Sequence, residues 1–480
     1  MTVSPRRLLV LAAFAGVAGM AWWLWREREA RQPPRVLLLT PAVQGLDESV
    51  AYGLGRMLRD QWEVGSDPTL LVASLPLPAG LRPDDVLVRV SGSRQGDLLS
   101  LEMDWTPAAH GEDGPWEKAQ TPLLPPQEAL SRLEAAGPFR VRKDRPMHLF
   151  PADLARFWEF AVLSSVRDDV AANAGLEASK RLAESEPGSA VAWTNYGEHV
   201  YRNLWTEPAG GDLPQTQALM AFDKALALAP GYPRAAMLKG MLLTDLGNQR
   251  EALRVLSAAR AMRPHNPDLY SSLAYAGRTS GLIEGALRAV AARERLTQPL
   301  RPQMEWFAEN TYLYAGRWDT FQASLEGQHD PVFVFYQGYL ELARGHEAQA
   351  LPFFLEGAAN RKTSIPFSDL CAIYAATLQG HPDEALSQLR TFEEERGHLR
   401  IPDGELTFKV AEAYAYLGRS DEAIGAAGRA FAQGFGCLQW YEQSPLFATA
   451  RQNPRWPLLR EHIRARQTLL EDAFPPDLFG

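Results

Sequence analysis

The side chains that do chemistry are thinly spread along this chain. Two cysteines occur, Cys371 and Cys437, both in apolar helical contexts that read as buried thiols. Two thiols cannot build a disulfide framework or a four-cysteine zinc or iron–sulfur site. His346-Glu347 stands where a helix begins, without the second histidine of a zinc-protease H-E-x-x-H, and His381 precedes Pro382 in a turn. Paired carboxylates occur at Asp84-Asp85, before a strand, and at Asp168-Asp169, after Arg167; both read as solvated surface charge. Gly92-Ser93-Arg94-Gln95-Gly96 places its serine wrongly for a nucleophile elbow and fits a hairpin turn. The sequence contains no G-x-x-x-x-G-K-S/T to cradle a phosphate. The expectation is a protein with no catalytic residues, no metal and no cofactor.

The 480 residues carry 49 basic and 58 acidic side chains, a net charge of −9. A nucleic-acid binder needs a basic footprint to displace counterions from phosphates, so nucleic acid is not the expected partner. With 46% apolar and 22% charged residues the composition is that of a folded chain. At roughly 150 residues per domain the length predicts about three units.

What would position these groups is written in the punctuation of the chain. Charge is absent from Leu8 to Trp25, and these 18 residues end in Trp22, Trp23 and Trp25. At ~1.5 Å per residue they reach about 27 Å, enough for a bilayer core, with indoles at the headgroup level. The competing reading, a signal peptide cleaved after Ala13-Phe14-Ala15, would leave an apolar, tryptophan-rich stub. Arg6 and Arg7 precede the span; Arg26, Arg28, Arg31 and Arg35 follow it, so positive charge is nearly balanced. The short head with paired arginines predicts a single-pass signal anchor in a bacterial inner membrane. The body is then periplasmic; a cytoplasmic body is the alternative.

Beyond Gln32-Pro33-Pro34 the pattern becomes α/β. Val36–Leu39 is a continuous apolar run, the mark of a buried strand. Asp47–Trp62 has helical spacing, and Leu70–Ala73 reads as a second strand. Val86–Val90 and Leu98–Met103 flank a Gly96-Asp97 turn, and Pro126–Ala136 closes the unit as a helix. This order, with Leu38-Leu39-Thr40-Pro41, the Asp85–Ser93 strand and Pro115-Trp116, resembles a known small α/β domain. That domain precedes tetratricopeptide-repeat (TPR) arrays in membrane-anchored bacterial winged-helix regulators and TPR-bearing adenylate cyclases. It is also similar to the N-terminal domain of the periplasmic Tol-system propeller protein. The resemblance implies an accessory module without catalytic residues. The winged-helix or cyclase domain of those proteins has no counterpart in the seven residues before the span.

From Pro151 the chain repeats. Gly247, Gly281, Gly316, Gly345, Gly380 and Gly418 follow one another at 34, 35, 29, 35 and 38 residues, and Pro230 and Pro264 are 34 apart. One unit carries Gly240, Leu243, Gly247, Ala252, Leu256, Ala259 and Pro264, the side-chain pattern of a TPR. A late copy runs Ala411, Tyr414, Leu417, Gly418, Ala423, Ala427 and Ala430. Small residues let paired helices approach, and glycine ends the first helix in the left-handed conformation. Such units must stack to bury their apolar faces. The expected organisation is a head (1–7), a transmembrane anchor (8–25), a linker (26–34), the α/β domain (35–150), a degenerate helical pair (151–189), about seven TPR repeats (190–433) and capping helices (434–480). The fold class is mainly α: a right-handed TPR solenoid preceded by one transmembrane helix and a small α/β domain.

In TPR proteins the first helix of each pair lines the concave face. That register brings Met237, Met241, Tyr275, Trp306, Asn310, Tyr314, Phe335, Tyr339, Phe367, Tyr374, Phe408 and Tyr416 into a largely aromatic groove, with Ser271 and Glu412 among them. Aromatics suit an apolar or extended peptide. They equally suit packing between repeats or beneath the chain's own N-terminal domain. The lysine–asparagine clamp that other TPR proteins close on a terminal carboxylate has only Arg234 and Asn310 to offer. The functional expectation is a non-enzymatic, membrane-tethered scaffold for a protein or peptide partner. The alternative is a regulatory subunit whose α/β domain senses an envelope ligand and whose array relays it.

Overall fold

Arg35–Leu39 (β1) is buried along its whole length, as a strand covered on both faces must be. The computed structural model describes residues 35–39, 42–44, 47–65, 69–73, 79–96, 98–110, 115–138, 150, 154–165, 172–204, 213–298, 308–360, 366–401 and 403–480. The expected anchor at 8–25 lies outside them; no helix among the described residues is long and apolar enough to cross a membrane. Strand β1 lies between β3 (Thr69–Ala73) and β4 (Val86–Gln95), parallel to both. Strand β4 pairs antiparallel with β5 (Leu98–Pro107), and β5 with β6 (Glu117–Gln120). The short β2 (Ala42–Gln44) pairs with the far end of β4.

The hairpin is longer than the apolar pattern suggested. Register continues through Ser91–Gln95 to a Gln95–Leu98 pair, so only Gly96-Asp97 connect the strands. Gly92 is what lets the polar stretch pair: a Cβ there would stand 2.3 Å from the carbonyl oxygen of Ser100. Helix α1 (Glu48–Gly65) buries Leu54, Met57, Leu58 and Trp62 beside Val36, Leu38, Val88 and Val90 of the sheet. Helix α2 (Pro126–Ala136) adds Leu130 and Leu133 to the same layer.

Helices then follow in pairs. Leu154–Ser165 (α3) and Ala172–Ser185 (α4) come first; Phe157, Trp158 and Phe160 of α3 are buried, and α3 packs on α1. Seven pairs span Ala190 to Ala432: α5 (Ala190–Leu204) with α6 (Leu213–Leu228), α7 (Pro233–Asp245) with α8 (Gln249–Met262), α9 (Pro267–Ser280) with α10 (Ile283–Thr297), α11 (Asn310–Tyr314) with α12 (Trp318–Leu325), α13 (Pro331–Ala343) with α14 (Glu347–Ala359), α15 (Phe367–Leu378) with α16 (Pro382–Gly397), and α17 (Gly404–Tyr416) with α18 (Ser420–Ala432). The six repeat glycines close first helices α7, α9, α11, α13, α15 and α17, all with φ between 72° and 85°. After Gly247, Asn248 N–H donates to the Leu243 carbonyl at 2.8 Å, the longer bond of a Schellman cap, and Arg419 N–H repeats it onto Tyr414.

Two features lie beyond local pattern. The sheet layer and the array share one continuous hydrophobic core, bridged by α1. Ion pairs cross the same junction: Arg234 holds Asp60 at 2.9 Å and also Glu198, and Arg59 reaches Asp268. Burial alone would raise Glu198, but Arg234, Arg56 and Arg202 outweigh it and hold its carboxyl well below the usual range. Secondly, the array closes on itself. The C-terminal segment, with α19 (Leu438–Gln443) and α20 (Trp456–Ala473), returns to the middle of the chain. Gly436 N–H donates to the Thr279 carbonyl at 2.7 Å, and Gln249 donates to Gly434 at 2.6 Å. Phe479 is fully buried against Gly277 and Gly285, and Arg288 pairs with Asp477.

Candidate functional site

Closure decides the fate of the expected groove. Trp306 lies outside the described residues. Of the other groove positions, Tyr314, Phe335, Tyr339 and Phe408 are 0% exposed and Tyr374 is 1% exposed, so they are not a free docking face. Phe335 packs on Phe354 of its own helix pair and on Phe367 and Tyr374 of the next, which is contact within and between repeats. Tyr314 meets Phe435 and Trp440, and Phe408 meets Phe435, Tyr441 and Phe447: the C-terminal segment fills the inner face. Met237, Met241 and Asn310 are buried too. Tyr275, Phe367 and Tyr416 keep part of their surface, and Tyr416 donates its hydroxyl to Glu347 at 2.6 Å.

Two buried glutamates of α17 organise the centre. Glu412 accepts from Tyr339 (2.7 Å), Trp440 (3.0 Å), Ser444 (2.5 Å) and Lys409 (3.0 Å). The Lys409 ammonium also lies 4.0 Å over the Tyr339 ring. Glu405 accepts from Arg278 (3.2 Å), Asn310 (3.2 Å) and Tyr314 (2.5 Å). An arginine, an asparagine and a tyrosine therefore do form a carboxylate receptor on the inner face. The chain's own Glu405 occupies it.

Beside this receptor a cavity of about 250 Å³ remains. Tyr201, Met241, Asp245, Ser271, Tyr275, Arg278, Asn310, Val332, Tyr336, Phe367, Asp403, Glu405, Leu406 and Lys409 line it. The half-buried Tyr275, Val332, Phe367 and Asp403 mark its outer side. Of the expected groove residues it gathers Met241, Tyr275, Asn310 and Phe367, together with Ser271.

The polar groups of the cavity are unevenly matched. Asp245, at the end of α7, accepts hydroxyls from Tyr275 at 2.5 Å and from Tyr201, and pairs with no cation among the described residues. Burial pushes its carboxyl up to about 7 against the pull of those two hydroxyls, with Asp403 and Glu405 adding repulsion. Asp403 caps α17, accepting from the backbone N–H of Glu405 (2.9 Å) and Leu406 (3.2 Å). It is the one non-glycine described residue with positive φ, at 61°, a conformation carrying ~1–3 kcal/mol of strain. Burial and the Glu405 charge raise it to about 6, with Arg396 pulling the other way. The Asn310 side-chain oxygen, in a residue only 5% exposed, has no hydrogen-bond partner among the described residues.

Asp245, Arg278, Tyr336, Asp403, Glu405 and Lys409 did not stand out in the sequence. Asp245 does sit one turn beyond Met241, and Asp403-Gly404 is a readable helix start. Their convergence depends on closure, which no local spacing encodes. Among the described residues, no three His, Cys, Asp or Glu side chains converge closely enough to hold a metal ion.

No family model and no curated protein matches the chain. Similar solved structures include a monomeric IFIT1 mutant with Gppp-AAAA, at 13% identity, covering 72% of this chain and 77% of that one, with a TM-score of 0.34. The TPR domain of P58(IPK) is 13% identical and covers 63% of this chain and 95% of that one, with a TM-score of 0.19. At those TM-scores neither bears on the site, and the repeat architecture rests on the helix pairs themselves.

Proposed function

We propose that the protein is a non-enzymatic, membrane-tethered TPR scaffold that holds a protein or peptide partner at the inner face of its array. One observation carries this reading: among the described residues, closure leaves unfilled an aromatic-edged cavity with buried polar groups, where first helices α5, α7, α9, α11, α13, α15 and α17 converge. Paired helices present their first members inward, and an unfilled inner site is where such an array binds. The groove is thereby reduced to a pocket, suited to one side chain or chain end and not to a long extended peptide. The uncharged stretch from Leu8 to Trp25 supplies the tether, and the Arg6-Arg7 head favours a periplasmic body.

The test is a photoreactive residue placed at Val332, on the outer side of the cavity, or at Arg254, which is exposed on α8. The reading expects cross-linking to one discrete protein from position 332 and not from 254. Equal cross-linking from both positions, or none from 332, overturns it.

The regulatory reading has one observation in its favour. Helix α1 of the α/β unit is shared between the sheet and the array, so a ligand on the sheet would be felt at α3 and α7.

A further inference from the structure

We propose that the cavity is a receptor for an alkylammonium group, the end of a lysine side chain or of a small primary amine. This rests on reading the inner face as the binding face.

The argument is a balance of donors and acceptors. The two cations that line the cavity are already matched: Arg278 by Glu405 at 3.2 Å, and Lys409 by Glu412 at 3.0 Å. An incoming carboxylate or phosphate would have to displace a buried glutamate from hydrogen bonds it already makes. The acceptors are not matched. Among the described residues, Asp245 receives two neutral hydroxyls and no cation, Asp403 receives backbone N–H groups, and the Asn310 oxygen receives no donor. Arg396 acts on Asp403 without returning its carboxyl to the ordinary range. A ligand that fits must therefore bring donors, positive charge and no acceptor of its own. Ammonium and guanidinium groups both do this; the ammonium, with three N–H donors, matches the three acceptors Asp245, Asp403 and Asn310 without surplus donors to leave unsatisfied.

The remaining lining suits such a group. Tyr275, Tyr336 and Phe367 border the cavity and supply apolar surface for an alkyl stem, and the chain's own Arg278 guanidinium, 4.9 Å over the Tyr275 ring, shows that a cation is tolerated there. The volume of about 250 Å³ is far above the ~15 Å³ that one water needs. The strained backbone of Asp403 is consistent with a residue held in place for its position in the site.

Isothermal titration of the full-length protein in detergent tests this with three probes: Nα-acetyl-lysine methylamide, its Nε-acetylated analogue and n-pentylamine. The expected result is that the lysine probe binds and its neutral analogue does not. Tighter binding of the lysine probe than of pentylamine assigns the site to a protein side chain; equal or tighter binding of pentylamine assigns it to a free amine. Asp245→Asn should weaken the ammonium probe at least about tenfold, as loss of a charge-assisted contact does, while the protein stays folded. Asp403→Asn, which keeps a capping side chain, should weaken it as well. The proposal fails if neither ammonium probe binds the folded protein, if the neutral analogue binds equally, or if Asp245→Asn binds like the parent. If position 332 still cross-links a partner while both ammonium probes fail, the scaffold stands and the ammonium receptor does not. If the probes bind and no partner is cross-linked, the receptor stands and the scaffold reading falls.

Discussion

Asp245 carries the sharpest consequence of closure for a single residue. Its carboxyl is buried between two tyrosine hydroxyls with no cation beside it, and its pKa is about 7 in place of 3.8. A carboxyl whose folded pKa lies above its unfolded value binds a proton more tightly in the fold. Its contribution to stability is therefore complete below about pH 4 and is lost as pH rises through about 7. Asp245→Asn removes the titration and keeps a group the tyrosines can bond. The variant should gain stability over the parent at pH 8, on the order of 2–4 kcal/mol, and lose that advantage by pH 4. Urea unfolding at the two pH values measures this; a pH-independent difference would mean the carboxyl is not buried as a lone charge. A site residue whose removal stabilises the fold is the usual mark of a group kept for binding. Nothing in the local sequence announces this, because the burial that raises Asp245 comes from packing of other helices, and the groups around it, Tyr201, Tyr275 and Asp403, lie 30 or more positions away.

At the scale of the elements, the sequence is legible where the signal is local. Glycines at about 34-residue intervals predicted helix ends, and all six adopt the left-handed conformation that ends a first helix. Gly418, at φ 72°, has open space where a Cβ would sit, so its substitution isolates the backbone term. Gly418→Ala should cost ~1–2 kcal/mol, the left-handed penalty of an L-residue, and Gly418→Asn clearly less. Thermal melts of the two variants check it, and equal melting temperatures would refute the capping role. Legibility fades where pairing is long-range. Strand β6 is polar and carries no apolar pattern; only its pairing with β5 makes it a strand. The groove register does not encode exposure: Phe335 and Tyr339 are core, Phe335 through packing with neighbouring helices and Tyr339 through the Glu412 cluster with Trp440 and Ser444 of the C-terminal segment.

For the molecule as a whole, the determining event is the return of the C-terminal segment onto α8–α10. It covers much of the aromatic inner face, and with closure Glu405 sits in the Arg278–Asn310 receptor beside a cavity on that face. The contacts responsible join residues more than a hundred positions apart, such as Arg278 with Glu405 and Arg288 with Asp477. A repeat period specifies neighbours and not the far end of the array, so the sequence offered an open groove. The direct measurement is a cross-link across the closure. Arg288 and Asp477 are exposed and pair, and the native Cys371 and Cys437 are buried with thiols pushed up to about 12, so they do not compete. In Arg288→Cys with Asp477→Cys, a short bis-maleimide should join the two positions within one chain in high yield, recovered as a single linked peptide. Failure to link, or linkage only between chains, would mean the array is open and its aromatic groove is free after all.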